Sequence, residues 1–144
     1  MSIYTNILLA LDLRVTHDTY TIQRAMEIAE NSNATLHIIH VMEPIHGYGT
    51  VKTQTLLEIE KNMADDARKA FNDLISSYDL SASKLILETG SPKVVIVEQA
   101  KKLSADLIIV GAHSKTGFNM LLGSTANAVI NQAHCDVLSI RTTE

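Results

Sequence analysis

The sequence is poor in cysteine, tryptophan and proline: its 144 residues contain one cysteine, no tryptophan and two prolines. A single cysteine cannot form an internal disulfide. Because Cys135 lies in the apolar stretch HCDVLSI, we predict that it is a small buried thiol and not a nucleophile.

Positive charge is also scarce, since 12 lysines and arginines face 16 acidic residues and leave a net charge of -4. The basic residues are scattered, so the sequence lacks the basic stripe that nucleic-acid phosphates require. No apolar run approaches the roughly 20 residues of a membrane span. The opening MSIYTNILLALDL has no cationic n-region, and Asp12 interrupts its apolar run. We therefore expect a cytoplasmic protein that binds neither nucleic acid nor membranes.

What the sequence does contain is typical of a globular protein, with 46% hydrophobic and 19% charged residues. A chain of this length buries roughly two-thirds of its unfolded surface, which is enough for one stable core. No internal repeat or linker composition divides it. We therefore predict a single domain over residues 1–144.

Five short apolar runs have the length of β-strands. They are NILLALD (6–12), TLHIIHVM (35–42), KLILET (84–89), DLIIVGA (106–112) and DVLSIR (136–141). Between them, apolar residues recur at three- and four-residue steps, which predicts amphipathic helices. Their apolar positions are Ile22, Ala25, Met26 and Ala29; Leu56, Met63, Ala67, Ala70, Leu74 and Tyr78; Val94, Val95, Ala100 and Leu103 after Pro92; and Val129, Ile130 and Ala133, with Ser124 or Thr125 as N-cap.

The alternation of strands and helices predicts an open α/β fold with a mostly parallel sheet covered on both faces. In such sheets a ligand binds beyond the carboxyl ends of the strands, where the strand order reverses. This rule selects Asp12 after the first strand, Val41 in the second and Gly111 in the fourth. The irregular stretch from Glu43 to about Thr53 is long enough to be a lid.

The segment Gly123-Ser124-Thr125 opens the last predicted helix. Free backbone N–H groups and the helix dipole attract phosphate to such a position, whereas the alternative interpretation is an ordinary helix cap. Standard nucleotide motifs are absent: a P-loop needs glycines where Ser114 and Ile109 stand, and G-x-G-x-x-G occurs nowhere.

Over essentially its whole length the sequence resembles the universal stress protein family, whose ATP-binding members carry G-x2-G-x9-G-[ST] after the fourth strand. NILLALDL, HIIHVME, ETGSPKVVIVEQAKKLSADLIIVGAHSKTG and HCDVLSIR carry the resemblance. It implies a five-stranded sheet of order 3-2-1-4-5 with the adenine nucleotide alpha hydrolase-like fold. It also implies an adenine nucleotide, ATP or AMP, as the ligand.

Carried over by position, Asp12 and Val41 match the nucleoside side, and Gly111 matches the first motif glycine near the ribose and phosphates. Gly123, Ser124 and Thr125 match the phosphate-holding end. Two departures stand out: Ser114 replaces the second glycine, and eight residues instead of nine separate it from Gly123. The family's UspA-like branch lacks the motif, so a dimer that binds no nucleotide and acts through protein contacts is the alternative function.

Other loop residues have less specific roles. His113 and Ser114 are assigned to the nucleotide site, where the serine offers both its N–H and its hydroxyl, while Lys115 either meets a phosphate or is solvated. Asp12 alone makes a weak Mg²⁺ site, so no metal ligand is assigned.

His37 and His40 lie three apart on a strand and point to opposite faces, which excludes a shared metal. We find no catalytic set, and a slow ATP hydrolase is the third hypothesis. At the sheet edge that the family order implies, the apolar strand near 136–142 predicts a homodimer.

Overall fold

The computed structural model describes residues 3–13, 15–44, 53–80, 83–114 and 123–143. Strands and helices alternate along these residues, as the apolar runs predict. In chain order they are β1 (Asn6–Ala10), α1 (Val15–Ser32), β2 (Thr35–Met42), α2 (Gln54–Ser76), β3 (Lys84–Thr89), α3 (Pro92–Lys102), β4 (Leu107–Ser114), α4 (Ser124–Gln132) and β5 (Asp136–Thr143). None of the helices in the described ranges is long and apolar enough to cross a membrane.

The five strands form one parallel sheet of order β3-β2-β1-β4-β5, which confirms the predicted topology. In the register of the sheet, Leu9 of β1 pairs with Ile38 of β2 on one side and with Ile109 of β4 on the other. The strand order reverses at β1, because β2 and β4 flank it. The carboxyl ends of these three strands therefore meet at the switch point where open sheets bind ligands.

Two apolar cores cover the two faces of the sheet. On one face Ile22 of α1 and Phe71 of α2 pack against strand residues such as Ile38. On the other face Ile96 of α3 and Val129 of α4 pack with Ile39. Adjacent residues of β2 thus enter opposite cores, as the alternation of a strand requires.

The packing face of α2 agrees only in part with the predicted one. Phe71 and Ile75 are its buried residues, whereas Met63 is 43% exposed and Ala70 is exposed. Successive residues of a helix are about 100° apart around its axis, so Ala70 faces a different direction from its neighbour Phe71. The apolar spacing predicts the helix and part of its packing face correctly, since Leu74 and Tyr78 pack against the core, but it misses Phe71 and Ile75.

The start of α4 also differs from the prediction. Gly123 is the N-cap, and as a glycine it has no side chain that could accept from the first-turn N–H groups. Ser124 and Thr125 therefore belong to the first turn and do not cap the helix. The first turn of α4 thus keeps backbone N–H groups that its own cap does not satisfy.

Gly90 places the start of α3 next to the end of β2. Its N–H donates to the carbonyl oxygen of Met42 at 2.9 Å, and its φ of +149° lies where side chains are disfavoured. A Cβ at this position would lie 2.9 Å from Cγ2 of Val95. The glycine therefore allows a sharp turn that brings Pro92, the first residue of α3, to the rim of the sheet.

The thiol of Cys135 is half-buried and not buried as predicted. It packs at the edge of the core beneath α3 and α4, and the loss of hydration there raises its pKa. A thiol with a raised pKa is a poor nucleophile at neutral pH, which agrees with the structural role that we predict.

Candidate functional site

A cleft of about 670 Å³ opens at the carboxyl ends of β1, β2 and β4. Its lining combines the ends of these strands with residues from the starts of α1, α3 and α4. The lining residues are Ala10, Leu11, Asp12, Asp18, Ile39, His40, Val41, Glu43, Pro92, Ile96, Val110, Gly111, Gly123, Ser124, Thr125 and Ala126.

Six of the eight predicted site residues line this one cleft, although they come from four separate segments of the chain. They are Asp12, Val41, Gly111, Gly123, Ser124 and Thr125. The two others, His113 and Ser114, are the last residues of β4, and their side chains lie outside the described part of the structure.

Two predicted elements also lie outside the described residues. Lys115 and the rest of the loop before Gly123 form one of them, and residues 45–52 of the predicted lid form the other. Gly111 lies inside β4, as the predicted strand 106–112 requires, and pairs with Ile140 of β5. β4 ends at Ser114, two residues beyond the predicted run 106–112.

Sequence reasoning missed three ionisable residues of the cleft, Asp18, His40 and Glu43. Asp18 lies in the first turn of α1, six residues after Asp12, and the helix returns it to the end of β1. The sequence did contain a signal for Asp18: it is an acidic residue in the first turn of α1, the helix that follows Asp12. His40 was weighed only as a metal ligand together with His37.

His40 links the ends of β1 and β2. Its Nδ1 lies 2.8 Å from the carbonyl oxygen of Leu11, and since a carbonyl only accepts, Nδ1 carries the proton. The Leu11 N–H in turn donates to the carbonyl oxygen of Ile39 at 2.9 Å. These two bonds fix the backbone that leads from β1 into Asp12.

Asp12 and Asp18 form a close pair of carboxyl groups. Asp18 is 3% exposed, whereas Asp12 is exposed. Burial, followed by the charge of Asp12 and a hydrogen bond to its side chain, raises the pKa of Asp18 from 3.8 to about 8. The backbone N–H groups of Asp12 and Leu13 donate to Asp18 and oppose this rise. At neutral pH Asp18 is therefore a neutral acid.

The backbone between the two acids adopts an uncommon conformation. Leu13 has a φ of +64°, in the left-handed region that branched side chains seldom occupy. This conformation allows the N–H groups of two successive residues to turn toward Asp18. Local strain of this kind is typical of functional sites, where surrounding contacts enforce it.

The lining of the cleft includes the starts of α3 and α4, and helix N-termini favour negative charge. The N-cap of α3 is Ser91 and that of α4 is Gly123, and neither makes a side-chain hydrogen bond to its helix. Each helix N-terminus carries about half a positive charge and free N–H donors. Within the described ranges, no group of three or more His, Cys, Asp or Glu side chains could hold a metal ion. The geometry suits an elongated ligand with one anionic end.

A parallel 3-2-1-4-5 sheet with a cleft at its switch point places the chain among adenine nucleotide alpha hydrolase-like α/β proteins. The sequence model of the Universal stress protein family matches residues 3–141. The chain is 38% identical to "Universal stress protein A homolog 2" of Coxiella burnetii over 98% of its own length and 97% of that relative. The chain therefore belongs to the universal stress protein family.

Solved structures show the same fold. The universal stress protein UspA from Lactobacillus plantarum superposes with a TM-score of 0.74 at 28% identity, over 96% of this chain and 98% of that one. A universal stress protein solved in complex with cAMP superposes with a TM-score of 0.66 at 25% identity, over 96% and 97% of the two chains.

Proposed function

We propose that this universal stress protein binds an adenine nucleotide in the cleft and acts as a ligand-sensing module, not as an enzyme. The observation that carries the proposal is the convergence of two helix N-termini, unsatisfied by their caps, on a cleft of about 670 Å³. Small-molecule sites have volumes of about 300 to 1,000 Å³, so one nucleotide fits.

The two ends of the cleft suit the two ends of a nucleotide. Gly123, Ser124 and Thr125 present N–H groups and hydroxyls to a phosphate, and a helix N-terminus favours its charge. At the other end, Val41 supplies apolar surface and Asp12 an acceptor for base or ribose groups. The relative in complex with cAMP supports this class of ligand. Mg²⁺ would enter with the phosphates of ATP.

Nucleotide binding is tested by thermal unfolding with increasing ATP, AMP or cAMP. A ligand that binds only the folded state adds about 2.7 kcal/mol at a hundredfold excess over Kd, so Tm should keep rising with concentration. GTP is the matched control for the base. Phosphate release from ATP in the same samples should stay at background. An unchanged Tm at millimolar nucleotide would contradict the proposal and favour the nucleotide-free dimer.

The same protein is proposed to form a homodimer through residues 136–142. Among the described strands β5 pairs with β4 alone, so its outer edge presents backbone donors and acceptors to a second copy. Sedimentation equilibrium should give about twice the 15.8 kDa of one chain, and Tm should rise with protein concentration. A monomer mass together with a concentration-independent Tm would contradict this assembly.

A further inference from the structure

Asp18 lines the cleft, and among the described residues one of its carboxyl oxygens has no hydrogen-bond partner. Its side chain is 3% exposed, and Oδ2 is buried with no hydrogen-bond partner in the described part of the chain. An ionised carboxylate in this position would bury a charge whose second oxygen is unsatisfied, which is costly. The exposed acid beside it, Asp12, accepts but cannot donate while it is ionised.

One proton resolves this arrangement. When Asp18 is a neutral acid, it donates a hydrogen bond to the Asp12 carboxylate, and the buried charge disappears. The pair then carries one negative charge instead of two, and that charge resides on Asp12, the member that faces solvent and the cleft. Two carboxyl groups that share a proton in this way titrate as a unit.

We propose that Asp12 and Asp18 enter the ligand complex as a singly charged pair that shares one proton, so that the cleft binds an anionic nucleotide and retains or takes up a proton with it. This inference rests on the proposed nucleotide binding and adds a role for Asp18, a positioning residue that sets the charge of Asp12. Loss of the proton would place a second negative charge beside an anionic ligand and remove the donor that orients Asp12.

Other ionisable groups line the same cleft. His40 faces it from β2 and Glu43 from the segment after β2, while Asp12 belongs to the segment after β1. Among the described residues, Asp12 is the charged group that acts on Asp18. A substitution of Asp18 leaves His40 and Glu43 in place, so a difference in pH dependence between wild type and variant is caused by Asp18.

The experiment is calorimetric titration with cAMP, because its phosphodiester keeps a single negative charge through the neutral and alkaline range. A charge about 10 Å away in the cleft shifts a pKa by about one unit, so wild-type affinity should fall about tenfold from about pH 7 to pH 9.5. In buffers of different ionisation enthalpy, binding near pH 9 should take up a fraction of a proton. Asp18→Asn, which keeps the shape and the donor, should take up no proton and keep a flat affinity.

Two controls separate the outcomes. Glu43→Gln removes a charge from the cleft without touching the pair, so it should leave the slope of affinity against pH unchanged. Carbon-13 NMR of the aspartate carboxyls without ligand should show one carboxyl titrating near pH 8 that is missing in Asp18→Asn. Equal pH dependence of cAMP binding in wild type and Asp18→Asn would overturn the inference alone. Titration near pH 8 without any nucleotide binding would instead mean that the proposed function has failed, and the ligand role of the pair with it.

Discussion

Asp18→Asn is expected to make the folded chain progressively more stable than the wild type as the pH rises from about 5 to about 8. The pKa of the buried acid is raised from 3.8 to about 8, so in this interval the folded chain holds a proton that the unfolded chain has released. Wild-type stability must therefore fall as the pH increases, and it levels off above the folded pKa. Asparagine carries no such proton, and its stability lacks this decline.

The expected effect is large. Each pH unit in this interval changes the free energy of unfolding by about 1.4 kcal/mol, which gives about 4 kcal/mol between pH 5 and pH 8. For a domain of this size, that corresponds to a shift of about 10 °C in the Tm difference. Urea unfolding of both proteins at several pH values measures it.

The matched control is Asp66→Asn, which removes an aspartate from the exposed face of α2. Exposed substitutions change stability by about 0.5 kcal/mol or less, so its difference from wild type should remain small at every pH. A constant difference between Asp18→Asn and wild type across the pH range would show that Asp18 ionises normally in the folded chain.

The sequence alone predicts the sheet because its signal is repeated and local. Each strand is an apolar run bounded by polar residues, and the switch-point rule then selects Asp12, Val41 and Gly111 without any side-chain geometry. All three line the cleft. The rule works because parallel strands all deliver their carboxyl ends to one edge of the sheet.

The features that could not be predicted depend on angles between elements. Asp18 looks like an ordinary first-turn acid, and only the backbone turn at Leu13, with its φ of +64°, brings it back against Asp12. Likewise, Gly123 and not Ser124 caps α4, because the angle at which the chain enters a helix selects its first helical residue. The spacing of apolar residues in the sequence contains no information about the turn at Leu13 or about the angle at which the chain enters α4.

Gly123→Asp is expected to have opposite effects on the free protein and on its ligand complex. Gly123 caps α4 without a side-chain bond, and a Cβ there would have no atom within 4 Å, so a larger residue fits. An aspartate at an N-cap accepts from the first-turn N–H groups and complements the helix dipole, which should stabilise the free protein by about 0.5 to 1 kcal/mol. Tm without ligand should rise by about 2 °C.

The same carboxylate would oppose a phosphate held by these N–H groups. Two like charges about 4 Å apart near a protein surface repel by about 4 kcal/mol, so affinity for ATP should fall about a thousandfold. Gly123→Asn is the control, since it caps the helix equally well without charge and should lose less than about tenfold. If Gly123→Asp and Gly123→Asn bind ATP with similar affinity, the phosphates do not lie at the start of α4. A rise in Tm without loss of binding would then leave α4 as a capped structural helix and move the anion site to the start of α3.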